Sequence, residues 1–330
     1  MAAQGCAALM LYTLCVPVLL VPSRAFGRAS LETKRNEARI ILGKRHPERS
    51  QHLRNGGAPL TFSVVVPVFN GARRLRDCLD SLLAQTHVSW ECICVDDCSV
   101  DLSREILGEY ARRDARLTVI RREKCGGTFA ALNDGLSAAR GDYVLFAGSA
   151  DVLPPRCLEI ADILARATGA GLLQLGAASH GVDPASVRTA HELFVARDLF
   201  DRFLLRGHPL ANTFYRRTAV ADVLFDPRMG VLAETMFGLE MMLRINEAVR
   251  CAVGGCRHPG LCGAGGGTSA GEVLRFVEAL GRWYATGAGR FSLCGALPFV
   301  RERVRAQINY LTMGLFKTNV ERVSPTRSIA

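Results

Sequence analysis

The sequence predicts an α/β fold: a mostly parallel sheet with helices on both faces, followed by a helical C-terminal portion. Three observations predict it. Thr61–Asp101 reads TFSVVVPVFNGARRLRDCLDSLLAQTHVSWECICVDDCSVD, two short apolar runs flanking an amphipathic segment, the pattern of a βαβ unit. Strand-like and helix-like segments go on alternating to about residue 155, as a parallel sheet covered on both faces requires. The apolar runs empty into polar residues at their carboxyl ends, the rim at which open parallel sheets bind ligands.

The elements follow in order. Ser63–Val68 is the first strand, and Leu75, Cys78, Leu79, Leu82 and Leu83 recur at helical spacing behind it. Cys92–Val95 is the second strand. A helix follows over Ser103–Arg113, with Ile106, Leu107 and Tyr110 on one face, and then the strand Leu117–Ile120. Cys125-Gly126-Gly127-Thr128 is a turn opening a helix that runs through Ala138, and Gly141 ends it. The strand Tyr143–Phe146 delivers Ala147-Gly148-Ser149-Ala150-Asp151 to the rim. Beyond it, the spacing predicts a helix over 156–167, a strand over Leu172–Gly176, a surface helix over 190–206 and a short strand or loop over Leu210–Tyr215. A helix over Glu234–Glu247, a glycine-rich loop over Gly254–Gly271 and closing helices over 272–286 and 297–314 complete the chain.

The chain has 330 residues and a net charge of +10. Nine Lys or Arg against three Glu lie between Arg24 and Arg54. No aromatic–basic interleaving or zinc spacing accompanies this charge, so nucleic acid is not the expected partner. Residues 5–22 form an uncharged apolar run, and Ser23-Arg24-Ala25 follows with a small-x-small pattern. Residues 1–25 are therefore read as a signal peptide, with an uncleaved membrane anchor as the alternative. Either implies the secretory pathway (endoplasmic reticulum or Golgi lumen, or secretion), and a plastid transit sequence is a third reading. A basic linker or stem spans 26–60, a globular domain 61–255, and the glycine-rich loop with C-terminal helices 256–330. Twelve cysteines are present, two of them in the leader, with no CxxC pair. Cys92 and Cys94 alternate with Ile93 as small hydrophobes. Cys251, Cys256, His258 and Cys262 form a loose cluster open to zinc or, in a secreted chain, to a disulfide.

Four blocks taken in order, SVVVPVFN, VDDCSVD, GGTFAALNDGLSAARGDYVLF and FDPRMGVLAETMF, resemble the family 2 glycosyltransferases of GT-A fold, over roughly residues 61–250. The resemblance implies a nucleotide-binding sheet. The loop Pro67, Val68, Phe69 and Asn70 would hold the nucleotide, Phe69 lying along base or ribose and Asn70 bonding it. The plainer alternative is an aromatic plug and a helix cap. Asp96 and Asp97 follow the second strand, and Asp97 takes the position that accepts the imino N–H of uracil. Gly126 and Gly127 let the backbone pass close to the nucleotide. Ser99 and Asp101 are read as caps of the next helix.

The pattern breaks at the fourth strand, where such enzymes commonly read F-x-D-x-D-D. Here Gly148 and Ala150 replace two acids, leaving Asp151 as the expected ligand of Mn²⁺ or Mg²⁺. The base is expected in an E-D-x-x-F context, which reads Ala233-Glu234-Thr235-Met236-Phe237, so Glu234 is the candidate catalytic base. His208, Arg257 and His258 are spare candidates. The implied reaction is an inverting transfer from a nucleotide-diphosphate sugar, with UDP the expected nucleotide, to a hydroxyl on a glycan, lipid or protein. The alternative is a catalytically impaired relative serving as a binding or scaffold protein. The missing acids favour that alternative, and the retained Asp97 and Glu234 oppose it. A dinucleotide oxidoreductase fits poorly, because no G-x-G-x-x-G follows the first strand.

Overall fold

The computed structural model describes residues 59–176, 191–195, 210, 212–245 and 247–255, with scattered positions between 269 and 282. The expected leader, nearly all of the stem, the helix over 297–314 and the candidates His208, Cys256, Arg257, His258 and Cys262 lie outside the described residues.

The first half is built as the sequence predicts. Strand β1 (Phe62–Val68) is followed by helix α1 (Ala72–Leu83), β2 (Trp90–Asp96), α2 (Ser103–Arg113), β3 (Leu117–Arg121), α3 (Thr128–Ala138) and β4 (Tyr143–Phe146). Every residue of β1 is buried, because it runs between β2 and β4 with helices on both sides. Its alternation sorts the core into two layers. Phe62, Val64, Val66 and Val68 pack with Leu75, Cys78, Leu79 and Leu82 of α1 and with Ile106 and Leu107 of α2. Val65 and Val95 point the other way, onto α3, which approaches so closely that a side chain at Gly135 would overlap the Val65 Cγ1 methyl. Pro67, which has no N–H to give a ladder, comes after the last β1–β4 pair, Val65 with Phe146.

The second half adds α4 (Cys157–Thr168), β5 (Leu172–Gly176), β6 (His191–Val195), β7 (Thr213–Arg216), α5 (Arg217–Val220), a 3₁₀ turn (Pro227–Met229), α6 (Leu232–Arg244) and β8 (Glu247–Gly254). The eight-stranded sheet has the order β3-β2-β1-β4-β7-β5-β8-β6. Its first four strands are parallel, whereas β7 runs antiparallel to both β4 and β5, and β6 antiparallel to β8. Two expectations need correction. The surface helix over 190–206 is a strand over His191–Val195, where an edge position beside β8 overrides helical spacing; the rest of that segment lies outside the described residues. The helix from Glu234 stops at Arg244, and Glu247–Gly254, which carried no strand expectation, pairs with β5 and β6.

Aromatic rings bind α6 to the sheet. Phe225 stacks on Phe237 with centroids 4.2 Å apart, and Phe146 meets Phe237 edge-on at 5.7 Å. Asn133 of α3 clamps the same region, donating to the Phe225 carbonyl and accepting from its N–H, each at 2.9 Å. No helix among the described residues is long and apolar enough to cross a membrane.

Candidate functional site

The rim at the carboxyl ends of β1, β2 and β4 gathers the expected site residues. Asp97 continues from β2, and its N–H donates to the Val68 carbonyl at the end of β1 at 2.8 Å. Its carboxylate accepts three bonds. Arg122 Nη1 and the Gly126 N–H reach Oδ1 at 2.7 and 2.9 Å, and the Gly127 N–H reaches Oδ2 at 2.7 Å. Gly127 adopts φ +82°, a conformation that costs glycine little. A side chain at Gly126 would strike the Arg122 guanidinium. The loop thereby folds over Asp97 and leaves it 3% exposed.

Arg122 is a site residue the sequence reading missed. It bridges Asp97 to Asp134 on α3, with Nε to Oδ2 at 2.8 Å. The available signal was a basic run, Arg121-Arg122-Glu123-Lys124, directly after a rim-directed strand.

Asp96 has a different use. It is fully buried, accepts the Ser99 N–H at 3.0 Å and pairs with Arg104 Nε at 2.8 Å. The loop after β2 in turn holds the start of α1. Ser99 Oγ, Ser103 Oγ and Asp101 Oδ2 accept from the N–H groups of Asn70, Gly71 and Ala72 at 3.0, 2.9 and 3.0 Å. Ser99 and Asp101 therefore serve the preceding helix, and Asp101 also accepts from the Ser103 N–H of its own. Hydrogen bonds from Ser103 and Ala72 outweigh partial burial and hold the Asp101 carboxyl below its ordinary value. Asn70, at φ +50°, accepts from the Val100 N–H at 2.9 Å and does not cap α1. Phe69 stands 59% exposed beside it, while Pro67 is buried.

Asp151 lies at the end of β4, fully buried, with Oδ2 accepting the Gly148 N–H at 2.6 Å. Gly148 and Ala150 supply no oxygen side chain, and no group of three or more His, Cys, Asp or Glu that could hold a metal occurs among the described residues. Glu234, in the first turn of α6, is 6% exposed and accepts the Leu210 N–H at 3.2 Å. Leu210 precedes β7, which is antiparallel to β4, so Glu234 stands at the same rim. Burial, and then the Glu234 charge, push the Tyr215 hydroxyl well above its usual value. From β2 to β7 is three strand spacings, roughly 14 Å along the rim.

Residues 63–224 match the family model described as glycosyl transferase family 2. This segment is a family 2 glycosyltransferase domain. Glycosyltransferase GlyG of Streptococcus pneumoniae serotype 4 is 38% identical to the chain over 98 residues, 30% of this chain and 33% of that protein. The O-antigen biosynthesis protein RfbC of Myxococcus xanthus is 36% identical over 196 residues, 57% of this chain and 14% of its own. The chain thus spans a third or less of these curated relatives. Among solved structures, residues 1–349 of S. aureus TarS in complex with UDP-GlcNAc superpose with a TM-score of 0.58 at 20% identity, covering 75% of this chain and 72% of that one. The glycosyltransferase domain therefore has the GT-A fold. Its family match ends ten residues before Glu234.

Proposed function

We propose that the chain is an inverting glycosyltransferase that moves a sugar from a UDP-linked donor to a hydroxyl on a glycan, lipid or protein. The observation that carries this reading is Asp97: a carboxylate at the rim of a family 2 domain, held by Arg122 and the Gly126–Gly127 turn. A carboxylate accepts and does not donate, which suits the imino N–H of uracil. Phe69 offers its ring face to the base or ribose, with Asn70 and the buried Pro67 and Asp96 shaping the loops around it. That TarS was solved with UDP-GlcNAc supports UDP as the donor nucleotide.

Glu234 acts as the base. It takes the proton of the acceptor hydroxyl as that oxygen attacks the anomeric carbon and the bond from that carbon to the phosphate oxygen breaks, so a single displacement inverts the centre. Mn²⁺ or Mg²⁺ would have Asp151 as its carboxylate ligand from the turn after β4 and would offset the charge of the departing diphosphate. The apolar leader would bring the chain to the secretory pathway, as a signal peptide or an anchor.

Transfer and UDP release across a panel of UDP-sugars, with and without Mn²⁺, test the reading. Glu234→Gln is expected to lower turnover by about 10²-fold or more, the usual contribution of a general base. Equal turnover in wild type and variant overturns the enzyme. Gly148 and Ala150 favour a second reading, a binding module. Thermal stabilisation by UDP with no turnover on any donor would establish it.

A further inference from the structure

An open hollow of about 410 Å³ lies between α2 and β3, the end strand of the sheet, lined by Arg104, Glu105, Gly108, Arg112 and Arg121. Two periodicities build it. Arg104, Gly108 and Arg112 recur every four residues and form one stripe along α2. Leu117 and Val119 of β3 pack into the layer of α1 and α2, so alternation turns Arg121 to that face, while Arg122 reaches Asp134 on α3. Gly108 leaves the floor of the hollow open. It stands in mid-helix, where alanine would be the more stable choice, and Arg112 Nη1 lies 3.6 Å from the place a Cβ would take. The Arg112 side chain thus folds back along α2, towards Arg104.

Charge in the hollow is unbalanced. Arg104 pairs with the buried Asp96 at 2.8 Å. Arg76, Arg116 and Arg122 nearby each have a carboxylate too, whereas Arg112 and Arg121 form no ion pair among the described residues. Glu105 is the one carboxylate on the lining. Asp97 bonds Arg122 and the glycine loop instead, so occupancy of the hollow does not depend on what Asp97 binds.

We propose that this hollow is a phosphate-binding site, in which Arg112 and Arg121, with Arg104 beside them, hold a diphosphate or a cluster of phosphate groups on a soluble ligand or a lipid headgroup. Planar guanidinium groups meet phosphate oxygens in pairs of charge-assisted bonds. The volume is within the range of small-molecule sites, roughly 300–1,000 Å³, and exceeds what a single phosphate needs. Glu105 repels weakly charged anions, so selectivity should rise with the charge of the ligand.

Calorimetry on the full chain with inorganic pyrophosphate and with sulfate tests the site. Pyrophosphate is expected to bind more tightly than sulfate and to weaken as sodium chloride is raised. Arg112→Gln and Arg121→Gln should each weaken it by about fivefold or more, and Glu105→Gln should tighten it. Gly108→Leu fills the floor and should weaken binding by about tenfold or more, while the melting temperature holds or rises because leucine is the better helix former. Absence of pyrophosphate binding, or binding that Arg112→Gln, Arg121→Gln and Gly108→Leu all leave unchanged, overturns the site. Vesicles of phosphatidylcholine with and without phosphatidylglycerol separate the two sources. Weaker binding of the Arg112→Gln/Arg121→Gln double variant to the anionic vesicles assigns a lipid headgroup. Equal binding of wild type and double variant, which share the same apolar leader, assigns a soluble ligand.

Discussion

At the scale of the residue, the rim depends on one carboxylate. Asp97 holds Arg122 and two loop amides with its side chain 5% exposed, so replacing it leaves two N–H groups without their acceptor and Arg122 with Asp134 alone. Asp97→Ala should cost about 3 kcal/mol in urea unfolding, in the range for breaking a buried ion pair, and should abolish UDP binding. Gly126→Ala should weaken UDP binding by displacing the Arg122 guanidinium and crowding Ala130, and should lower the melting temperature as well. The position of Asp97 was legible because an acid directly after a buried strand falls on the rim. Arg122 was not, since it stands among four consecutive charged residues and nothing in a linear pattern says which one turns inward.

At the scale of the element, α1 to α4, α6 and the first five strands were legible because each has one task, whereas the four-residue α5 carried no signal. Buried strands read as unbroken apolar runs, and α1 and α2 carry one apolar stripe each. The strands β6 and β8 have their identity from each other. His191–Val195 sits in a stretch with helical spacing, and Glu247–Gly254 follows a helix without a strong turn signal, yet the open edge beyond β5 offers both a ladder. The packing of α3 on β1 yields a sharper test. Gly135→Ala should destabilise by about 1–3 kcal/mol through overpacking against Val65. Val65→Ala in the same chain should recover part of that loss, as a double-mutant cycle in urea would show.

At the scale of the whole molecule, several carboxylates tie the fold to pH. Asp101 is held below its ordinary value by Ser103 and Ala72 against burial, and Asp114 and Asp226 are lowered first by Arg116 and Arg228. A depressed folded-state value means that the stabilisation is fully present above the unfolded carboxylate range, near pH 4, and is lost as pH falls through the lower folded values. The melting temperature should therefore be level between about pH 5 and 7 and decline below about pH 4. Asp101→Ala should flatten part of that acid decline.

The start of α1 has a consequence for how a donor's leaving group is treated. A helix's positive end is a natural seat for phosphate, but here Ser99, Ser103 and Asp101 already occupy the amides of Asn70, Gly71 and Ala72. The turn after β4 has likewise lost two of the acids that would cradle a cation. A pyrophosphate arriving at this edge of the sheet finds one such handhold occupied and the other thinned to the single acid Asp151, so recognition should fall on the nucleoside. Uridine should then compete with a UDP-sugar nearly as well as UDP does, and spent nucleotide should leave without lingering.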